Sequence, residues 1–303
     1  MRAIRAWFRL WRPLNVALVA LTPPAVWASL VRPLPSEPEL TLGQIGLVGI
    51  AVALVAAGGN VVNDIADRTI DQLNGRRNPL VDDLSLGTAW TTYAGFTAAA
   101  ALLTWQLAVE LDRVAYAGLL PASVVALLAY AFALKCTPWL GNATVAAFCA
   151  GVPGIVALAE PTVVLESRSL LSQSLFAYVC FAFFGTWARE LVKDLQDRAG
   201  DRAAGCATLA VRWEERSVVT LVALALFATL AITAWLSASW GLAGEWTSAF
   251  AWGALWLLQA GIVGQLGTRD DLATDYASVS RNLKLAVIFG LALLLLGGAR
   301  GGI

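Results

Sequence analysis

Long apolar segments alternate with short polar stretches along the whole chain. Each apolar segment is close to twenty residues long, the length at which an α-helix crosses the hydrocarbon core of a bilayer. The pattern predicts an all-α fold, a polytopic membrane helical bundle of about nine transmembrane helices in a single domain over residues 1–303. The predicted spans are 14–31, 45–63, 89–109, 114–134, 143–160, 170–189, 217–236, 247–265 and 282–298.

Composition agrees with a membrane location. Of the 303 residues, 58% are hydrophobic and only 14% are charged, whereas an ordinary soluble domain is about 25% charged. Residues 1–13 carry Arg2, Arg5, Arg9 and Arg12 on one helical face, with aromatic side chains between them. We expect this segment to form an interfacial amphipathic helix rather than a cleaved signal peptide.

Basic residues are distributed unevenly between the two sides of the predicted bundle. With a cytoplasmic N-terminus, the nine spans leave only Arg32, Arg113, Arg168 and Arg300 on the outer side. This asymmetry follows the positive-inside rule. We therefore expect a multi-pass protein of the inner (cytoplasmic) membrane, with its N-terminus and its active site on the cytoplasmic side.

Several functional classes are excluded by what the chain lacks. It has no histidine, which removes Ser-His and Cys-His nucleophilic mechanisms and any His-ligated metal. Its cysteines, Cys136, Cys149, Cys180 and Cys206, form no CxxC pair, so we expect them to be unpaired, buried small residues. The net charge of zero gives no bulk attraction to nucleic acid, and nothing in the sequence indicates an obligate protein partner.

One polar pattern occurs twice, each time at the end of an apolar segment. Both copies have steps of four, three and four residues, which bring the four side chains onto one face of an α-helix. Carboxylates this close stay ionised in a low-dielectric cleft only with compensating cations, and Mg²⁺ takes oxygen ligands and bridges to phosphate. The sequence therefore indicates Mg²⁺-dependent chemistry on a lipid-borne phosphate or diphosphate. The copies are Asn60, Asp64, Asp67 and Asp71, and Glu190, Asp194, Asp197 and Asp201.

These residues resemble the two signatures of the UbiA superfamily of intramembrane prenyltransferases. The resemblance covers most of the chain and implies a central cavity capped on the cytoplasmic side. It also implies Mg²⁺-dependent transfer of a prenyl group from its diphosphate to a lipophilic or aromatic acceptor, among membrane lipids. It is carried by Asn63-Asp64-x-x-Asp67-x-x-x-Asp71 and Asp194-x-x-Asp197-x-x-x-Asp201, with further matches at Arg12-Pro13-x-Asn15, Tyr130, Lys135 and Asn142.

The resemblance also implies roles for individual residues. Metal ligands would be Asp64, Asp67, Asp194 and Asp197, supported by Asn63, Asp71 and Asp201. Diphosphate charge would be neutralised by Lys135, Lys193 and Arg77. Tyr130 would either stabilise an allylic cation through its ring or serve only in packing. Further substrate contacts would come from Arg12, Asn15, Asn60, Arg68, Asn142 and Glu190, although Arg12 and Asn15 could equally be an interfacial anchor and a helix start.

The acceptor is inferred from the second motif. The run from Arg189 to Arg202, followed by Ala207-Thr208-Leu209, looks most like the branch that transfers geranylgeranyl to geranylgeranylglycerol phosphate in ether-lipid synthesis. Many members have Arg-Pro where this chain has Asn78-Pro79, which leaves open an aromatic acceptor such as 4-hydroxybenzoate or another quinone, haem or chlorophyll precursor. Cyclisation of the prenyl diphosphate and, in a different class, ion-coupled transport are the remaining alternatives.

Overall fold

Helices are the only regular elements in the residues that the computed structural model describes, which are 2–73, 75, 77–267 and 276–298. Two of the helices, α2 and α7, continue directly into π-helical turns, at Trp27–Val31 and Tyr130–Leu134. The helices are α1 (Arg2–Trp11), α2 (Pro13–Val26), α3 (Leu42–Ala66), α4 (Arg68–Leu73), α5 (Pro79–Asp82), α6 (Leu86–Glu110), α7 (Val114–Ala129), α8 (Leu140–Ala159), α9 (Thr162–Leu165), α10 (Leu170–Ala203), α11 (Leu209–Arg212), α12 (Glu215–Leu242), α13 (Trp246–Gly267) and α14 (Tyr276–Gly298).

Each predicted span coincides with a long helix, but the number of spans is not confirmed. Within the described ranges, seven helical segments are long and apolar enough to cross a membrane, and neither α6 nor α14 is among them. Helix α10 has 34 residues and is therefore about 51 Å long, against about 30 Å for a bilayer core. The predicted span 170–189 covers only its first part. Arg300, one of the four basic residues predicted on the outer side, lies outside the described residues.

Large apolar side chains on the long helices are turned outward. Leu102, Phe227 and Leu257 are more than 60% exposed. Exposure of so many large apolar side chains to water is unfavourable, whereas their contact with lipid tails is favourable. The outward-facing surface of these helices is therefore suited to a bilayer.

The chain divides into two compact units. The first contains most of the elements up to Thr137, and the second contains most of the elements after it. Both units take pieces from elsewhere in the chain, because α2 and α10 each contribute to both. The first unit is Met1–Pro24, Thr41–Thr137 and Ala199–Ala207, and the second is Ala25–Leu40, Pro138–Arg198 and Thr208–Ile303.

In the first unit, α3 packs against α6 and α7, and the amphipathic helix α1 docks on the end of α3. The apolar face of α1 is buried in a cluster formed by Leu10, Val61, Leu80 and Ala89. Docking of α1 fixes the start of α2, because only Arg12 separates the two helices. The predicted amphipathic helix thus also serves as a packing element of the protein.

A close approach of α2 and α3 depends on Gly49. A Cβ atom at this position would collide with the carbonyl oxygen of Ala20 and stand 3.2 Å from Cδ of Pro24. Pro24 has no N–H to donate to the carbonyl four residues before it. The carbonyl of Ala20 is therefore turned towards α3, at a position where only glycine fits.

We predict that Gly49→Ala lowers the free energy of unfolding by about 1–3 kcal/mol, because the helix backbones must move apart to admit the methyl group. The control is Gly46→Ala on the same helix, where an added Cβ meets nothing within 4 Å. That variant should be neutral or slightly stabilising, since alanine favours a helix over glycine. Thermal unfolding of both purified variants in detergent measures the difference, and equal stability would contradict the close approach.

The second unit has its own apolar core between α10, α12, α13 and α14. It is built around Leu191, Leu226, Ile262 and Leu283, all of which are nearly inaccessible to solvent. The α10 side chains in this core include Leu191 and Leu195, which directly follow Glu190 and Asp194 in the sequence. The motif therefore extends from a firmly packed helix.

A buried glutamate holds the segment between α2 and α3 in the second unit. Glu160 is fully buried at the end of α8. One of its oxygens accepts hydrogen bonds from Trp27 Nε1 (2.8 Å) and Leu40 N (2.9 Å), and the other accepts from Glu39 N (2.9 Å). Three charge-assisted hydrogen bonds compensate the burial of this carboxylate. Glu160 is therefore a structural residue.

Candidate active site

The first acidic motif lies at the end of α3. This helix ends at Ala66, Asp67 is its C-cap, and the short helix α4 begins at Arg68. The predicted single stripe is thus divided between two helices, with Asp71 on the second. The backbone N–H of Asp71 still donates to the carbonyl of Asp67 (2.8 Å), so a helical hydrogen bond connects the two parts of the motif.

Two carboxylates of this motif are buried and each is paired with a cation. Arg12 Nη2 donates to Asp64 Oδ1 at 2.6 Å. Lys135 Nζ donates to Asp67 Oδ2 and also to Asn63 Oδ1, the latter at 3.0 Å. Asn63 completes the group by donating to Asp67 Oδ2 at 2.8 Å. A buried carboxylate is strongly unfavourable without such partners, so the cations are part of what allows the acids to lie here.

Unusual backbone geometry brings both cations to the motif. Arg12 has a φ of 54°, a left-handed conformation that costs a non-glycine residue roughly 1–2 kcal/mol. Lys135 follows the π-helical turn, and its N–H donates to the carbonyl of Tyr130 at 3.0 Å. Because π-turns and left-handed residues are uncommon, they often mark functional positions.

Asn78 is a residue of this site that sequence reasoning missed. Its side chain is buried, and Nδ2 donates to the carbonyl oxygen of Asp64 (2.8 Å) and to Asp71 Oδ2 (2.9 Å). Its Oδ1 accepts from Leu80 N (2.9 Å) and so caps α5. Asparagine directly before Pro79 is a helix-start signal that could have identified the cap, but nothing in the spacing indicates the bond to Asp71.

We predict that Asn78→Ala lowers the free energy of unfolding by about 2–3 kcal/mol, because it removes a cap and leaves a buried carbonyl without its donor. Ser85→Ala is the matched control. Ser85 caps α6 through Thr88 N at 3.0 Å and is exposed, so its loss should cost only about 1 kcal/mol. Denaturation of the two variants side by side tests this, and equal losses would mean that Asn78 is only a cap.

A disulfide joins the end of the π-turn to the segment after the second motif. Cys136 and Cys206 are bonded, with Cα atoms 4.6 Å apart, and Ala207 N donates to the carbonyl of Cys136 at 2.9 Å. The expectation that all four cysteines are unpaired and buried is therefore wrong. Cys149 and Cys180 are unpaired but exposed. The pair is 70 residues apart in sequence, and such proximity depends on tertiary packing that cysteine spacing does not reveal.

We predict that alkylation of the denatured, unreduced protein labels two cysteines, and that four are labelled after treatment with dithiothreitol. Intact-mass spectrometry counts the adducts, and Cys136→Ser with Cys206→Ser should remove the difference between the two conditions. Four adducts without reduction would show that the bond does not form.

The second acidic motif lies on one unbroken helix, α10. Its spacing therefore does place Glu190, Asp194, Asp197 and Asp201 on a common face, as predicted. Asn142, at the start of α8, donates through Nδ2 to Asp194 Oδ2 at 2.8 Å. The first three acids belong to the second unit and Asp201 belongs to the first.

Glu190 is buried and shared by two cations. Arg189 Nη1 donates to Glu190 Oε1 at 2.9 Å, and Lys193 Nζ donates to Glu190 Oε2 at 2.7 Å. Both cations remain about one third exposed. The group carries one more positive than negative charge, so it is suited to contact an anion.

The remaining predicted residues lie near the first motif. Asn60 Nδ2 donates to the carbonyl of Trp11 (3.2 Å), and Asn15 begins α2 with its N–H bonded to the carbonyl of Arg12 (2.9 Å). Arg68 begins α4, and its Nε is buried without a hydrogen-bond partner in the described part of the chain. Tyr130 begins the π-turn and is half-buried, whereas Arg77 is exposed.

The first motif fits a magnesium ion by its chemistry. Its donors are carboxylate and amide oxygens, the ligands that Mg²⁺ prefers, and Asp67 Oδ1 is buried with no hydrogen-bond partner among the residues described. Within the same residues, no three carboxylate or thiolate side chains are close enough to enclose an ion. The acids are instead neutralised by Arg12 and Lys135.

Comparisons with known proteins identify the family of the chain. A model of the UbiA prenyltransferase family matches residues 21–286. A digeranylgeranylglyceryl phosphate synthase of Methanoculleus marisnigri is 33% identical over 219 residues, which cover 68% of each chain.

Solved structures share the fold. One described as a digeranylgeranylglyceryl phosphate synthase in membranes aligns with a TM-score of 0.65 at 18% identity, over 98% of this chain and 99% of that one. A UbiA homolog from Archaeoglobus fulgidus bound to DMAPP and Mg²⁺ aligns with a TM-score of 0.59 at 15% identity, over 95% and 98%.

Proposed function

The chain belongs to the UbiA prenyltransferase family, and we propose that it transfers a geranylgeranyl group from geranylgeranyl diphosphate to geranylgeranylglycerol phosphate. The observation that carries this choice of acceptor is the 33% identity to a digeranylgeranylglyceryl phosphate synthase over two thirds of both chains. The run Arg189 to Arg202 supports the same branch.

The family predicted from the two acidic motifs is confirmed, and the protein is a multi-pass membrane prenyltransferase. The family match crosses both compact units. This supports the proposal that residues 1–303 act as one prenyltransferase domain, although each motif lies mainly in a different unit.

Both motifs are proposed to hold Mg²⁺. Its ligands would be Asp64, Asp67, Asp194 and Asp197, with Asn63, Asp71 and Asp201 in support. Bound Mg²⁺ would supply the positive charge that stabilises a departing diphosphate. The DMAPP and Mg²⁺ in the Archaeoglobus fulgidus homolog support a requirement for Mg²⁺.

The cations of the first motif have a second role in this proposal. Arg12 and Lys135 neutralise Asp64 and Asp67 in the described structure. Both have further N–H donors that can reach phosphate oxygens, and we assign them to the diphosphate together with Arg77 and Lys193. Asn15, Asn60, Arg68 and Asn142 would complete the substrate contacts, and Tyr130 would face the allylic cation.

The apolar helices of the protein suit a reaction from which water is excluded. A prenyl cation is captured by water unless the site is dry, and the bundle supplies apolar walls. We place the N-terminus and both motifs on the cytoplasmic side of the cell membrane, as the distribution of basic residues indicates. The only partners in this proposal are the prenyl diphosphate, the acceptor and membrane lipids.

The reaction is tested with purified protein in lipid, given Mg²⁺ and geranylgeranyl diphosphate. Geranylgeranylglycerol phosphate, 4-hydroxybenzoate and no acceptor are compared, and products are identified by mass spectrometry. We expect a Mg²⁺-dependent adduct of the glycerol phosphate alone. An adduct of the aromatic acid alone would contradict the acceptor, a cyclised hydrocarbon without acceptor would indicate a cyclase, and no product in any reaction would contradict the activity.

The site is tested with Asp64→Asn and Asp194→Asn. We expect each to lower kcat by about 100-fold or more, because charge stabilisation of the transition state is lost, without a change in membrane insertion. Asp112→Asn is the control, since Asp112 is exposed in the turn between α6 and α7 and asparagine tolerates its φ of 50°. Wild-type turnover in either motif variant would remove that motif from the mechanism.

A further inference from the structure

Arg189 is a charged residue directly before the second motif to which the proposed binding of the diphosphate assigns no role. It precedes Glu190 on α10 and lies one turn before Lys193. In the proposed reaction, the leaving diphosphate already has Mg²⁺, Arg12, Lys135, Arg77 and Lys193. The acceptor brings a second anion, a phosphate monoester, and that anion needs a cation of its own.

The contacts of Arg189 leave part of its guanidinium available. Nη1 is bonded to Glu190, whereas Nε is buried and has no hydrogen-bond partner among the described residues. A buried donor without an acceptor is costly, and a guanidinium presents Nε and a terminal nitrogen as a fork that matches phosphate oxygens. The side chain as a whole is about one third exposed, whereas Nε is buried, so an anion would approach Nε from the exposed side of the guanidinium.

Glu190 sets the position of this fork. Its two oxygens hold Arg189 and Lys193 at 2.9 and 2.7 Å. Two cations bound to one buried carboxylate are fixed side by side, with a net charge of +1. Anions bound to the two cations would therefore be neighbours, as a donor diphosphate and an acceptor phosphate must be.

We infer that Arg189 is a specificity residue that binds the phosphate monoester of the acceptor, and that Glu190 aligns it with Lys193. The inference rests on the proposed function and refines it, because it explains why a phosphorylated glycerol lipid is chosen over an uncharged or aromatic acceptor. It assigns no bond making or breaking to Arg189. The effect lies in binding and orientation.

The kinetic test compares geranylgeranylglycerol phosphate with geranylgeranylglycerol, which lacks the phosphate. For Arg189→Gln we expect KM for the phosphorylated acceptor to rise about 10- to 100-fold, the range for loss of a charge-assisted hydrogen bond. KM for geranylgeranyl diphosphate and turnover of the unphosphorylated acceptor should change by less than about twofold, so that the preference for phosphate disappears. Arg189→Lys keeps the charge without the fork and should restore only part of that preference.

Arg198→Gln is the matched control. Arg198 lies on the same helix but contacts the carbonyl of Trp213 (3.1 Å) and Glu215 (3.8 Å). Its loss removes one positive charge while leaving Glu190 and its two cations in place, and KM for both acceptors should stay at the wild-type value. An unchanged preference for phosphate in Arg189→Gln, or an equal rise in KM for the diphosphate, would overturn the inference.

A binding measurement separates this inference from the reaction itself. Calorimetry with geranylgeranylglycerol phosphate, without Mg²⁺ or diphosphate, should show binding to the wild type and to Arg198→Gln that Arg189→Gln weakens about 10-fold or more. If no acceptor gives a product but this dependence holds, the proposed function fails while the phosphate site stands. If the affinities of the wild type and Arg189→Gln are equal, the phosphate site is wrong whether or not the enzyme turns over.

Discussion

The burial of carboxylates at the ends of apolar helices is the constraint on which the rest of this structure depends. Such groups are tolerated in a low-dielectric setting only when cations and hydrogen bonds compensate them. Asp64 and Asp67 are held by Arg12 and Lys135, and Glu190 is held by Arg189 and Lys193. The left-handed Arg12, the π-turn before Lys135 and the docking of α1 all serve to bring a cation to an acid.

Much of the fold can be predicted from the sequence, because few kinds of backbone structure can span a bilayer. A chain segment in lipid must form its backbone hydrogen bonds within the protein, so apolar runs of sufficient length become helices. The helices occur where the apolar runs are, and the two acidic motifs together with the further sequence matches predict the family. The count of nine spans is not confirmed, because only seven helical segments of the described residues are long and apolar enough to cross a membrane.

The parts of the site that sequence did not predict are those set by tertiary contacts. The bond from Asn78 to Asp71, the break of the first stripe at Asp67 and the Cys136–Cys206 bond join residues whose proximity no spacing encodes. Glu160 holds the connection between α2 and α3, a role that its position in the sequence does not indicate. The pairing of Glu190 with two cations is likewise evident only from the contacts. In the sequence, Glu190 is part of an acidic motif.

We propose that these acids are metal ligands, and that protein cations balance their charge in the absence of the diphosphate. Mn²⁺ binding, followed by electron paramagnetic resonance with and without geranylgeranyl diphosphate, is the measurement that tests this proposal. We expect little bound Mn²⁺ with the protein alone, strong binding when the diphosphate is present, and loss of that binding in Asp67→Asn. Mn²⁺ that binds equally well without the diphosphate, or that is indifferent to Asp67→Asn, would contradict it.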